Sequence, residues 1–238
     1  MNGVVNEGVM IAEQQLNPYE QGQVLLLYKP VGWTSFQLVN KIKWQLLHQY
    51  HIKKIKIGHA GTLDPLADGL MIVCTGRYTK RIEEFQAHEK EYTGAFTLGA
   101  TTPCFDMEQP VDSYYETTHI IPEKIYEVAA SFIGEQMQKP PVFSAVKIDG
   151  KRAYNYARHN EAVEMKLKRI VISEFEITTI AMPVVSFRIV CSKGTYIRSI
   201  AHDFGEKLNS GAYLSRLTRT KIGRFCVENA THIEDFKV

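Results

Sequence analysis

Residues 58–70 read GHAGTLDPLADGL, a stretch with three glycines, one histidine and an aspartate, Asp64, set directly before Pro65. Gly58, Gly61 and Gly69 permit backbone angles closed to other residues, and Pro65 biases Asp64 away from the helical region. Asp64 therefore sits on a rigid loop. Two readings of it stay open at this point. It caps a helix that begins at Pro65, as Asp-Pro pairs commonly do, or the loop holds a single carboxylate for nucleophilic work.

Outward from this loop, strand and helix signals mix. VLLLY (24–28) reads as a short buried strand that stops at Lys29-Pro30. In KPVGWTSF (29–36) a tight Pro/Gly turn follows, and Thr34 with Gln37 has capping-box spacing for a helix over about 35–48. YTGAFTLG (92–99) places Tyr92, Phe96 and Leu98 on one face of a half-buried strand. Pro122 opens a helix, Ile125, Val128, Ala129 and Phe132 mark its inner face, and Gly134 closes it. VVSFRIVCS (184–192) is another strand, and Ile197, Ile200, Ala201, Phe204 and Leu208 mark a helix to about 208. The regular βαβ rhythm of a doubly wound fold is missing. The pattern predicts an α+β domain, residues 22–238, on a central, mainly antiparallel mixed sheet flanked by helices. Residues 1–21, rich in Asn, Gln, Glu and Gly, are expected to form a flexible tail.

Hydrophobic residues make up 45% of the 238 and charged residues 23%, the balance of an ordinary soluble globular protein. No apolar run is long enough to span a membrane, and the first 21 residues hold no Lys or Arg to open a signal peptide. A cytoplasmic location is expected. The four cysteines form no CxxC pair, and Cys74 and Cys191, in strand-like apolar runs, read as buried thiols. Net charge is only +2, but it is segregated: residues 29–81 carry +7, 82–135 carry −9, 136–192 carry +4 and 193–224 carry +5. The basic segments could converge on a polyanion such as RNA, or each could be a solvated face balanced by the acidic middle.

Two further segments stand out. In CSKGTYIRSIAHDFG (191–205), a helix capped by Thr195 puts Arg198 in its first turn, where the helix dipole disfavours a cation. An anionic partner, a carboxylate or an RNA phosphate, would remove that conflict, and a routine surface contact is the alternative. PPVFSAVKIDGKRAYNYAR (140–158) combines Tyr154 and Tyr156 with Lys151, Arg152 and Arg158, rings for stacking and cations for phosphate, or a helix with its tyrosines turned inward.

Taken together and in order, these segments resemble the bacterial tRNA pseudouridine synthase B family, which modifies uridine 55 in the T loop of tRNA. KPVGWTS looks like its KPxGxTS opening, GHAGTLDPLADGL like its GHxGTLDPxAxGxL motif, and KEYTG carries its K-x-Y element. PPVFSAVKIDGKRAY, CSKGTYIRSIAHDFG and the closing LTRTKIGRF (217–225) match three further blocks, so the likeness spans about residues 22–228. Two departures are visible. TTPCFD stands where the family has TDTxD, keeping Asp106 but placing Pro103 at the intervening Asp. The chain also stops soon after LTRTKIGRF, where family members continue into an RNA-binding (PUA) domain, which implies a short form.

The resemblance implies the pseudouridine synthase fold and a redox-neutral isomerisation of a flipped-out uridine, needing neither metal nor nucleotide cofactor. It implies Asp64 as the nucleophile, Tyr92 stacked on the flipped base and able to take part in the final proton transfer, and Arg198 paired with Asp64, which a guanidinium can hold through a fork of two parallel hydrogen bonds. Tyr196 and Leu217 would line the uracil pocket, His59 would support the flipped-out loop, and Lys29 would support the active site. The implied partner is tRNA, read at its T-arm stem-loop by a monomer. An RNA-guided enzyme of the archaeal or eukaryotic type and a tRNA-binding protein without catalysis stay open as alternatives.

Overall fold

A computed structural model of the chain describes residues 17–144, 146–148, 150–153, 156 and 163–237. Residues 1–16 of the expected tail, and Tyr154 and Arg158, lie outside the described residues. Pro18–Gln21 form a single helical turn (α1) capped by the Asn17 side chain, and the Tyr19 ring packs 5.8 Å from that of Tyr50.

The ten-stranded sheet contains β1 (Val24–Lys29), β2 (Ile57–His59), β3 (Ala67–Thr75), β4 (Lys90–Leu98), β5 (Gly134–Gln138), β6 (Lys168–Ala181), β7 (Val184–Cys191), β8 (Ala212–Ile222), β9 (Phe225–Cys226) and β10 (Thr231–His232). Its order is β10-β1-β3-β8-β4-β7-β6-β5, with β2 paired to β3 and β9 to β8. Two pairings are parallel, β1 with β10 and β3 with β8; the others are antiparallel. The helices are α2 (Ser35–Gln49), α3 (Ile82–Ala87), α4 (Pro122–Ala130) and α5 (Ile197–Lys207). This is the expected α+β mixed sheet. Among the described residues no helix is long and apolar enough to cross a membrane.

Local signals that close within a turn or two are met. The Thr34–Gln37 capping box makes both of its reciprocal hydrogen bonds, and α2 runs on from it. Helix α4 ends at Ala130, three residues short of the expected 133. Of the two readings of Asp64 the helix cap fails, since no helix begins at Pro65. Asp64 O accepts from Ala67 N at 3.1 Å in one turn, and the chain then enters β3. The reason is the next segment, LMIVC, buried on both faces of the sheet. Met71 and Val73 join the larger core with Leu38, Ile42 and Leu46 of α2, while Leu70, Ile72 and Cys74 pack with Phe85 and Ile222 behind. A strand so enclosed wins over a local cap. On the α2 side of the sheet, Phe96, Phe187, Phe175, Phe204 and Phe132 form one aromatic cluster, with Phe96 and Phe187 4.3 Å apart. Cys74, Cys104 and Cys191 are buried free thiols.

Gly69 lies where β3 runs parallel to β8, opposite Arg219, with φ +107°. A Cβ there would run into the backbone of Arg219. Gly134, with φ +101°, has open space where its Cβ would be. Gly69→Ala is therefore expected to lose at least about 3 kcal/mol in urea denaturation, and Gly134→Ala only about 1–2. Equal losses would remove backbone crowding as the reason for Gly69.

Candidate active site

The loop between β2 and β3 carries Asp64 and has no regular structure of its own, so its neighbours hold it. Ser35, the first residue of α2, accepts from Leu63 N at 2.8 Å and donates to Leu63 O at 2.9 Å. Gly32 N donates to Pro65 O at 2.8 Å. The Lys29 ammonium is fully buried and donates to Trp33 O at 2.6 Å, Pro30 O at 3.0 Å and Pro65 O at 3.5 Å. Burial pushes Lys29 down to about 8, against the pull of the Asp68 and Asp64 carboxylates. KPVGWTSF thus clasps Leu63 and Pro65, the two neighbours of Asp64.

From the opposite side comes Arg219, 1% exposed, on the inward face of β8. Its Nε donates to Leu70 O at 2.8 Å, Nη2 to Gly61 O at 3.1 Å and Nη1 to Thr62 O at 3.4 Å. These three carbonyls span the loop and the start of the buried part of β3. The register sets Arg219 opposite Tyr92 on β4, and Leu217 opposite both Gly94 and Ala67. Burial raises the Tyr92 phenol above its ordinary value, with Arg219 pulling the other way, so the ring stays neutral at physiological pH.

Arg198 is the second residue of α5, in its first turn, as expected, although the cap position is Tyr196 rather than Thr195 and makes no side-chain cap bond. Gln138 compensates from the end of β5: its amide accepts from Tyr196 N at 2.8 Å and donates to Tyr196 O at 3.0 Å. Only 5% of the Arg198 side chain is exposed, and its Nε lies 2.9 Å from Asp64 Oδ2 and 3.5 Å from Asp106 Oδ2. The expected fork is not made. The Nε–H is not aligned on an acceptor, so Asp64 and Arg198 form an ion pair without an aligned hydrogen bond. The fork's terminal nitrogens go elsewhere, Nη1 to Cys104 O at 3.2 Å and Nη2 to Phe143 O at 3.0 Å. Asp106, itself buried, accepts from the Cys104 thiol at 3.0 Å and from Glu108 N at 2.9 Å. The guanidinium is thus fixed by backbone and faces two carboxylates with its remaining nitrogen.

Asp64, Tyr92, Tyr196, Arg198 and Leu217 line one cavity of about 570 Å³. Asp64 is 39% exposed there, open to a ligand. Two expected site residues do not line it. Lys29 lies beneath the loop, and His59 ends β2, its pKa lowered by burial and its Nδ1 without a hydrogen-bond partner among the described residues. Arg219, Gln138 and Ser35 were not singled out in the sequence as site residues. An arginine at an inward strand position beside Leu217 was the available signal for the first; the other two act through contacts distant in sequence.

Arg219→Met leaves the Gly61, Thr62 and Leu70 carbonyls without this donor. It is expected to cost about 3 kcal/mol in chemical denaturation and to speed amide hydrogen exchange across residues 60–67. Stability within about 0.5 kcal/mol of wild type, the range of ordinary surface changes, with unchanged exchange would show that the loop holds itself.

Residues 48–197 match the family described as TruB family pseudouridylate synthase (N terminal domain). The tRNA pseudouridine synthase B of Flavobacterium johnsoniae is 54% identical over 220 residues, covering 92% of this chain and 96% of that protein. That of Phocaeicola vulgatus is 53% identical over 218 residues, covering 92% and 93%. Among solved structures, a chain of an H/ACA RNP bound to a substrate RNA containing 2'-deoxyuridine matches with TM-score 0.66 at 27% identity, over 92% of this chain and 53% of that one. A chain of a Cbf5-Nop10-Gar1 complex matches with TM-score 0.67 at 28% identity, over 91% and 54%. This chain therefore spans about half the length of those two solved chains. By the family match and by identity above one half across nearly its whole length, the chain belongs to the TruB family of pseudouridylate synthases.

Proposed function

We propose that this protein isomerises uridine 55 in the T loop of tRNA to pseudouridine, as a cytoplasmic monomer, with Asp64 as the nucleophile. The observation that carries the reading is the Asp64–Arg198 pair: a part-exposed carboxylate opening into a cavity, beside a buried guanidinium that cannot turn away. The reaction is redox-neutral. The bond from ribose carbon 1 to uracil N1 breaks, a bond from that carbon to uracil carbon 5 forms, carbon 5 loses a proton and N1 gains one. A carboxylate that attacks the nucleoside and is later released suits such a sequence. The base must leave the stack to reach Asp64, and Tyr92, Tyr196 and Leu217 give it an aromatic and apolar receptacle. Tyr92 offers the base a stacking surface and a phenol for the final proton transfer. His59, at the end of β2, supports the loop conformation left by the flipped nucleotide. Lys29 supports the site indirectly, by bracing Pro65.

The curated relatives at 53–54% identity are named for tRNA, whereas the guided-type structures match at 27–28%. That difference favours tRNA as the substrate over a guide-directed one. The direct test is incubation with unmodified tRNA and mapping of pseudouridine. One pseudouridine at position 55, and none when that uridine is replaced by cytidine, is the expected result; pseudouridine at another site would overturn the assignment.

Arg198→Lys keeps a charge but cannot serve the Cys104 and Phe143 carbonyls and Asp64 together. Small misplacements of a reacting group cost about 100-fold, so kcat is expected to fall by about that factor or more with little change in tRNA affinity. A near-normal kcat with weakened, salt-sensitive binding would instead place an RNA phosphate on Arg198.

A further inference from the structure

Six cations and one carboxylate, Asp64, are among the described residues that line the cavity. Three of the cations are committed: Arg198 to Asp64, Arg169 to Glu135, and Arg219 to its three carbonyls. Lys90, Lys168 and Lys193 are left, and among the described residues none of them has an acidic partner within salt-bridge distance.

Lys90 is two residues from Tyr92 on the same face of β4, about 7 Å further along the strand by the strand repeat. Its side chain is 7% exposed, and its ammonium donates to Gln86 O at 2.5 Å and His88 O at 2.6 Å, at the end of α3. Burial pushes it down to about 8, and Arg219 adds to that effect. Among the described residues these two carbonyls leave one of its three donors unused, and a buried ammonium without a counterion is costly. Cys191 pairs with Lys90 across β4 and β7, so the loop that carries Lys193 leaves the sheet beside it. That loop is braced. Ser192 N donates to Val171 O at 2.8 Å, its hydroxyl accepts from Val171 N at 2.9 Å, and Thr195 Oγ1 donates to Ser192 O at 2.9 Å. Lys168 reaches the same cavity from β6.

We infer that this limb of the cavity, built on Lys90 and Lys193, is an anion subsite that grips the backbone phosphate next to the flipped uridine. The inference rests on the tRNA reading above and deepens it. A phosphodiester supplies the counter-charge that the three lysines lack and accepts the free Lys90 donor in a charge-assisted bond. Such a grip holds the sugar on one side while Asp64 works on the other, and acts on binding rather than on chemistry.

The test uses the full chain and labelled T-arm stem-loops carrying one uncharged methylphosphonate linkage on the 5' or the 3' side of the target uridine. The sugar before each altered linkage is 2'-O-methylated, as it is in the charged control. In wild type, one of the two neutral linkages should raise Kd by about 10-fold, the scale of one charge-assisted hydrogen bond, and leave kcat within about twofold. Lys193→Met should weaken binding of the control RNA, lower the salt slope by about 0.7, and abolish most of the penalty from that linkage. Lys90→Met should behave alike if it folds; if it does not, Lys193→Met carries the test alone. No penalty from either linkage in wild type, or an equal penalty in wild type and Lys193→Met, would overturn the subsite. A wild-type protein that binds the stem-loop without forming pseudouridine would sink the proposed reaction and leave the Kd comparison standing.

Discussion

Buried cations bonded to backbone carbonyls fix the Asp64 loop, and the rest of the site depends on that. A loop without helix or strand can aim a carboxylate only if its own carbonyls are held. Lys29 takes the carbonyls of the preceding turn and reaches Pro65 O, while Arg219 takes those of Gly61 and Thr62. Each cation is costly to bury, and each is satisfied by backbone carbonyls aimed at it. The cost is offset only in the folded arrangement, so the loop and the sheet beneath it form as one unit. Gly69 belongs to the same constraint, because only a residue without a Cβ lets β3 lie against the backbone of Arg219.

The second fixed object is the Arg198 guanidinium. Helix α5 offers it an unfavourable position, in the first turn with no side-chain cap at Tyr196. Gln138 meets the cap residue's backbone, two carbonyls hold the terminal nitrogens, and Asp64 and Asp106 supply the negative charge. The segment after β5 at Phe143, the Cys104–Asp106 turn and the Asp64 loop thus all converge on one side chain. Asp106 is fully enclosed, whereas Asp64 is open to the cavity. The same cation therefore faces one structural carboxylate and one available for chemistry.

The sequence was most legible where its signals are local. Thr34 and Gln37 announced α2, Pro122 announced α4, and the inner-face residues of α5 gave its extent to within a residue. Strands β6 and β8 went unread because bulges break their alternation, between Ile172 and Glu174 in one and between Leu214 and Arg216 in the other. At Asp64 local signals left a helix cap and a held loop both open, because the force that decides, burial of LMIVC on both faces of the sheet, lies outside the turn. Asp64, Tyr92, Tyr196, Arg198 and Leu217, named from the family motifs, line one cavity, but the motifs could not say how Arg198 spends its donors. Those partners, Cys104 and Phe143, lie 94 and 55 residues away in the chain and act through backbone atoms, which motif letters do not encode.

Joining ribose to carbon 5 expels the hydrogen from that carbon, so tritium placed on carbon 5 of the target uridine reports the chemistry itself. For tRNA labelled in this way, the wild-type protein should release one equivalent of tritium from the target position. Asp64→Asn should bind the same tRNA with near-normal affinity and release none, because only the nucleophilic oxygen is lost. Tritium release by the purified Asp64→Asn protein at more than a small fraction of the wild-type rate would mean that another group does the chemistry.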